Sequence, residues 1–301
     1  LSVPAERARP AGAWGAAAAL LFVVLWASAY VPSKIGATLS PPYWFLFVRF
    51  VAAAIVLFAI TFALRRPMPF SASEWGTFAL LGVLANTLYL GLTYTAMSHG
   101  MSSGVGAIVA SMNPLLLALV APWILREPLT PLKSAGLLLG FGGVLAIVLA
   151  RAASGTAAPI DVAFAVAGVC ASVASTIIFK RARGANNVLA ITAIGFLGAA
   201  AATLPFALLL EGPLPTHFFS NPALLGVMAY LVCVLSVGAS LLWFWLLTHG
   251  EASRVSAYYF LTPAFGLAFG AVLLHEHFHS SDLAGLIAIS AGIILVQRSP
   301  N

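Results

Sequence analysis

Pro114, Leu125-Arg126-Glu127, Ala135-Gly136-Leu137 and Gly143 return in the same order as Pro263, Leu274-His275-Glu276, Ala284-Gly285-Leu286 and Gly292. Pro263 follows Pro114, Glu276 follows Glu127, Gly285 follows Gly136 and Gly292 follows Gly143, each by 149 residues. Each copy reads as an apolar run broken by a proline, a short loop carrying a glutamate, and a glycine-rich apolar run. A match held at one offset over such a length means that the chain consists of two related halves.

Hydrophobic residues make up 61% of the 301 and charged residues only 7%, which excludes an ordinary soluble domain. A bilayer core about 30 Å thick needs roughly 20 apolar residues per helical span. The apolar runs place spans near Ala13–Val31, Tyr43–Leu64, Glu74–Met97, Ser103–Leu125 and Pro131–Ala150 in the first half. In the second half they lie near Ile160–Phe179, Val188–Leu210, Pro222–Thr248, Arg254–Leu274 and Asp282–Gln297. That is ten spans, five per half.

The net charge of +6 first suggests an acidic partner, but its placement points elsewhere. With the N-terminus in the cytoplasm and the loops alternating, Arg7, Arg9, Arg65, Arg66, Arg126, Lys133, Lys180, Arg181, Arg183, Arg254 and Arg298 all fall inside. Lys34 and Arg151 fall outside, and Arg49 lies within the second span. This is the positive-inside bias, so the basic residues report topology rather than a nucleic-acid site. Five spans is an odd number, so the second half enters the membrane from the opposite face. The matched loops agree, since Arg126 and Lys133 (inside) become His275 and Asp282 (outside). Inverted repeats characterise many secondary transporters, whose substrate site lies at the repeat interface near the midplane.

The predicted fold class is an all-α integral membrane protein of ten transmembrane helices in two inverted five-helix repeats. The expected organisation is a cytoplasmic tail over 1–12, a first repeat over 13–151, a second over 159–297 and a cytoplasmic tail over 298–301. The first apolar run lacks a small-x-small cleavage site and reads as a retained helix. Cys170 and Cys233 are expected to pack as small apolar residues inside spans.

Candidate substrate-binding residues emerge from polar and aromatic groups at helical spacing within spans. Trp26, Tyr30 and Ser33 share one face of the first span; aromatic residues near a span end also serve as interfacial anchors. Asn86, Tyr89, Thr93 and Met97 share a face of the third, and Ser236, Ser240, Trp243 and Leu247 repeat it in the eighth. Such groups avoid lipid and face the protein interior, where interhelical bonding competes with substrate contact. Arg49 either snorkels or satisfies helix-end carbonyls, or else binds a substrate carboxylate.

The most informative positions are Asn113-Pro114 in the fourth span and Thr262-Pro263 in the ninth, with Tyr258 and Tyr259 one turn earlier. A mid-span proline frees a carbonyl that a neighbouring helix, a water or a substrate must satisfy. Paired interruptions in inverted halves point to a transporter site, although kinks also serve packing alone. Gly136-x3-Gly140 and Gly266-x3-Gly270 predict close helix approach.

His275-Glu276-His277-Phe278-His279 contains H-E-x-x-H, the zinc-protease spacing. Its repeat mate, Arg126-Glu127-Pro128-Leu129-Thr130, keeps only the glutamate, so the repeated architecture asks for Glu and not for a metal. No catalytic residue, metal or cofactor is expected, and no Walker sequence supports direct ATP use. Glu6, Glu74, Glu127, Asp161, Glu211, Glu251, Glu276 and Asp282 all fall in loops or at span ends, and only His99 and His249 approach a proton-relay position. Transport without an intramembrane carboxylate is therefore expected.

Trp26-Ala27 through Lys34, Arg49-Phe50 and the paired Pro-Glu-Gly-Gly stretches resemble the drug/metabolite transporter superfamily, specifically its ten-span EamA-type members. The resemblance covers roughly Trp14 to Val296. It implies a bacterial inner-membrane exporter of small metabolites, with a cavity between the first four spans of each half. Within that family the chain is similar to the aromatic amino acid exporters of the YddG type. It departs from the four-span multidrug relatives, whose first span carries an essential glutamate, because Trp26 to Lys34 holds no acid.

The expected function is export of small amphipathic metabolites, foremost amino acids including aromatic ones, by alternating access. A zwitterion would place its charges on freed backbone groups and helix ends. The alternatives are a proton-coupled drug or cation exporter and, more remotely, an intramembrane metalloprotease using His275, Glu276 and His279. Expected partners are a small zwitterionic or neutral molecule and the lipid bilayer, with no nucleic acid, for a monomer with both ends cytoplasmic.

Overall fold

Within hydrocarbon every backbone N–H and C=O must find a partner in the protein, so apolar runs of this length become helices. The computed structural model describes residues 13–68, 71–124, 130–153, 158–181, 187–216, 218–239, 241–242, 246, 261–277 and 280–298. Among these residues every regular element is helical.

The first span is built from α1 (Ala13–Ser28) and α2 (Tyr30–Leu39), with a break at Ala29. Pro32 causes it, since its ring crowds the carbonyl four residues back, at Ser28, and it offers no N–H. The span continues to Leu39 rather than ending at Val31. Lys34, whose charge suggested a span end, is accommodated because its Nζ donates to the carbonyls of Met97 (2.6 Å) and Met101 (2.8 Å). The second span is α3 (Pro42–Ala63). The third runs through α4 (Ala72–Gly82), a π-helical stretch (Val83–Leu88) and α5 (Tyr89–Ser98). Ser71 and Glu74 start α4 with a reciprocal capping box.

The fourth span is α6 (Ser103–Ala110) and α7 (Met112–Ile124). It breaks at Ser111, three residues before Pro114, as the first breaks three residues before Pro32. There follow α8 (Pro131–Ala153), α9 (Pro159–Arg181) and α10 (Val188–Phe206), the last running into a π turn at Ala207–Glu211. Then come α11 (Pro222–Tyr230) with a second long π stretch (Leu231–Ala239), α12 (Thr262–Leu274) and α13 (Ser280–Arg298). Seven of the described helical segments are long and apolar enough to cross a membrane, and three further apolar helices are shorter, Pro131–Ile147, Thr262–Leu274 and Ser280–Val296. Leu138, Leu209, Trp123 and Val272 are exposed, whereas Thr61, Thr87, Ser103, Ser111 and Thr203 are buried. An apolar exterior around buried hydroxyls is the pattern of a protein solvated by lipid.

The glycines show how the halves meet. A Cβ on Gly136 would lie 2.7 Å from the Gly292 carbonyl oxygen, and one on Gly143 would lie 2.8 Å from that of Gly285. Gly136 thus meets the repeat mate of Gly143, and Gly143 the mate of Gly136. Helices related by a two-fold axis and running parallel would set each glycine against its own mate. The crossed pairing requires α8 and α13 to run antiparallel, as inverted repeats do. α6 and α12 pair the same way, Ser103 beside Gly270 and Ala107 beside Gly266. The expected close approach at both glycine patterns is therefore present. The cysteines are a correction, because Cys170 and Cys233 are exposed rather than packed inside. They lie on outward faces, where a small polarizable side chain needs no partner.

Candidate substrate site

Tyr30 begins α2 directly after the Ala29 break, and its ring is buried between two glycines. Its Cδ1 lies 3.7 Å from where a Cβ on Gly106 of α6 would be, and its Cδ2 lies 3.8 Å from that position on Gly266 of α12. Helices α2, α6 and α12 therefore converge on this one aromatic ring. From the other side the Tyr30 side chain interacts with that of Tyr89 at the start of α5. Two of the residues singled out in the sequence are thus in direct contact.

Arg49 adjoins them. It is 6% exposed and lies two turns into α3, so it does not snorkel. Its Nη1 donates to the Tyr94 hydroxyl at 3.1 Å, which in turn donates to Ser33 Oγ at 2.7 Å. Ser33 is one turn after Tyr30 on α2, so the arginine network and the tyrosine pair share two helices. Nε of Arg49 is buried without a hydrogen-bond partner among the described residues. Among the described residues, no carboxylate forms an ion pair with Arg49.

The remaining expected residues occupy varied settings. Trp26 is half-buried and stacks on Phe22 one turn back (centroids 5.8 Å apart). Asn86 lies half-buried inside the π stretch of the third span, and Ser236, its counterpart in the eighth, lies inside the second long π stretch. Matched π segments are a feature that hydrophobic periodicity does not reveal; they occur disproportionately at functional sites. One carbonyl next to the first, that of Leu81, is satisfied by the Ser175 hydroxyl of α9 at 3.1 Å. The π stretch also breaks the single polar face read in the sequence. Thr93 turns back to the Tyr89 carbonyl, and Met97 is fully buried against the Gly106 position.

At the matched prolines the halves differ. Asn113 Nδ2 donates to Ser172 Oγ of α9 at 2.9 Å, so it is tied into the bundle. Thr262, beside Pro263 in the first turn of α12, is 1% exposed, and its hydroxyl has no hydrogen-bond partner among the described residues. Trp243, Tyr258 and Tyr259 lie outside the described residues. The sequence leaves the role of Arg49 open and does not point to Tyr94, an aromatic residue five positions after Tyr89 that an α-helical face does not group with it.

The H-E-x-x-H stretch does not adopt the helical geometry that a zinc site uses. His275 caps α12 in a left-handed conformation (φ 54) and is exposed, and Glu276 and His277 come next in a loop; His279 lies outside the described residues. Glu276 instead caps α6. The Ser103 N–H donates to Oε1 (2.7 Å), while the Ser103 hydroxyl (3.0 Å) and the Gly104 N–H (3.2 Å) donate to Oε2. A carboxylate at a helix N-terminus satisfies orphan donors and complements the dipole, a role for Glu276 that needs no metal. Lys34 interacts electrostatically with Glu276 and Asp161, and His99 Nδ1 lies 2.8 Å from Asp161 Oδ1. Four titratable groups thus gather at one end of the bundle.

Comparison with known proteins sets this geometry in a family. The EamA-like transporter family matches the chain twice, over residues 13–149 and 160–298. A probable amino-acid metabolite efflux pump of Salmonella typhimurium is 27% identical, covering 92% of this chain and 92% of its own. The uncharacterized transporter YvbV of Bacillus subtilis is 27% identical over 91% of this chain and 88% of its own. A crystal structure of a protein 17% identical superposes with a TM-score of 0.63 over 94% of this chain and 97% of that one, which bears on fold alone. The chain belongs to the EamA-like transporter family and is a multi-pass membrane transporter of the drug/metabolite transporter superfamily, not an enzyme.

Proposed function

We propose that this protein exports small amphipathic metabolites, foremost amino acids including aromatic ones, by alternating access around a central cavity. The observation that carries the reading is the Tyr30–Tyr89 pair, set where α2, α6 and α12 meet, together with a buried Arg49 that is bonded to Tyr94 and has no counter-ion among the described residues. Aromatic surface with a few oriented polar groups suits a ligand that is apolar at one end and polar at the other. Relatives named as probable amino-acid metabolite efflux pumps support the same class. In this reading Trp26, Tyr30, Asn86, Tyr89, Asn113, Pro114, Trp243, Tyr258, Tyr259, Thr262 and Pro263 line the path. The three shorter apolar helices also cross, the two repeats span 13–151 and 159–297, and the protein works as a monomer. It resides in a bacterial inner membrane with both termini cytoplasmic.

A second reading, a proton-coupled drug or cation exporter, is favoured by the His99–Asp161 pair, whose histidine is accessible to solvent. The buried cation of Arg49, bonded to Tyr94, weighs against cationic cargo, because like charges repel strongly where water is scarce. Efflux from liposomes preloaded with labelled phenylalanine, threonine or a cationic dye, with and without a pH gradient, separates the two. Amino-acid efflux independent of the gradient is the expected result. Dye efflux alone, or flux that needs the gradient and ends on replacing His99, overturns the first reading in favour of the second.

A further inference from the structure

We infer that Arg49 is the carboxylate-binding residue of the transport site, taking the acid group of an amphipathic substrate whose side chain lies against Tyr30 and Tyr89. This rests on the amino-acid reading above and deepens it.

A guanidinium inside a span is costly, and proteins that keep one give it a counter-ion or line a polar cavity with it. Here it has five N–H donors and one hydrogen-bond partner among the described residues, the neutral Tyr94 hydroxyl. Among the described residues Nε is buried and has no hydrogen-bond partner, and no carboxylate lies within ion-pairing reach. The acids at the bundle end are engaged elsewhere, Glu276 on α6, Glu211 on the N–H groups of Tyr43 and Trp44, and Asp161 on His99. A planar carboxylate accepting from two nitrogens of the fork supplies both the missing charge and the missing hydrogen bonds. Tyr94, itself fixed by its bond to Ser33, holds Nη1 of the guanidinium, so the arginine is oriented before substrate arrives.

The internal repeat separates this role from an architectural one. Phe50 and Phe196 stack against each other across the interface of α3 and α10, 5.8 Å between centroids. Anchored on that contact, at an offset of 146 rather than the 149 of the later spans, Arg49-Phe50 matches Gly195-Phe196 and Ala53-Ala54 matches Ala199-Ala200, and at 149 the mate of Arg49 is again a glycine, Gly198. An arginine that the helix pair needed for packing would recur in both halves. The second half has Gly195 instead, where a Cβ would meet the Gly82 backbone at an ordinary contact distance of 3.5 Å. The fold thus uses the smallest residue at one site and the largest cation at its mate, and substrate recognition is the role a single copy can fill.

The test is efflux of labelled phenylalanine and of labelled phenylethylamine, which lacks the carboxylate, from liposomes carrying the full chain or its Arg49→Gln or Arg49→Lys variant. Wild type is expected to prefer phenylalanine, and Arg49→Gln to raise its KM at least about tenfold, the loss of one or two charged hydrogen bonds. Phenylethylamine efflux is expected to hold or rise in the same variant, and Arg49→Lys to recover part of the phenylalanine flux. Equal losses for both substrates, or no loss in a folded variant, overturn the assignment while leaving amino-acid export standing. Absence of amino-acid flux in wild type overturns the parent reading and this one with it. Should Arg49→Gln fail to assemble, competition on wild type by phenylalanine and by phenylalanine amide decides instead; equal potency overturns the assignment.

Discussion

Two neighbouring glycines in α8 isolate the packing term between the repeats. A Cβ at Gly142 meets nothing within 4 Å, whereas one at Gly143 would lie 2.8 Å from the Gly285 carbonyl oxygen, 2.9 Å from Ala288 Cβ and 3.1 Å from Ile289 Cγ1. Carbon atoms settle at about 3.5–4.0 Å, so α8 and α13 must separate by roughly half an ångström or more, and a gap of that size forfeits about a quarter to a half of each contact along the seam. Overpacking of this kind costs about 1–3 kcal/mol. Replacing glycine by alanine inside a helix also gains up to about 1 kcal/mol, but both variants share that gain. The difference between Gly142→Ala and Gly143→Ala therefore reports packing alone, about 1–3 kcal/mol in favour of Gly142→Ala. Thermal unfolding of the purified variants in one detergent measures it. Equal midpoints, or Gly143→Ala the more stable, would refute the antiparallel glycine seam.

Other consequences are simpler to check. Glu276→Ala removes the acceptor of three hydrogen bonds at the start of α6 and should cost about 2–3 kcal/mol with a matching fall in melting temperature, while Glu276→Gln retains part of it. If Glu276→Ala instead melts with wild type, the capping role is wrong. Thr262→Val deletes a buried hydroxyl that has no partner among the described residues, so stability should hold or rise while efflux falls; unimpaired efflux would take Thr262 out of the site. Pro114→Ala restores an N–H and lets α6 and α7 join through Ser111, so turnover should slow in a normally inserted protein. A wild-type turnover number there would show that the break is packing and not a hinge.

Membrane residence, the two halves and their inversion depend on quantities that a linear sequence carries in full: apolar run length, basic loops and a constant repeat offset. The two glycine patterns are readable because a missing side chain leaves a mark wherever backbones touch. Pro114 marks a break in its span, and so does Pro32, but the second is masked because it sits where the charge of Lys34 suggests that the span has ended. That lysine stays in the helix by bonding to carbonyls of another span, a partnership invisible to local reading.

The site is less legible. Tyr30 and Tyr89 can be nominated by face and residue type, yet their meeting depends on two glycines, Gly106 and Gly266, from spans far apart in the chain. The π stretches shift the register of the third and eighth spans, so an even 3.6-residue period misassigns the faces of the residues beyond them. Glu276 stands out by recurrence, but only the folded chain shows its carboxylate on the N–H groups of Ser103 and Gly104. By itself, then, the sequence determined a duplicated, inverted helical membrane protein, because solvent and chain chemistry act residue by residue. Tertiary structure alone decided that Arg49 is buried against the Tyr94 hydroxyl with no counter-ion among the described residues, because charge compensation depends on which groups from distant spans end up within a few ångströms.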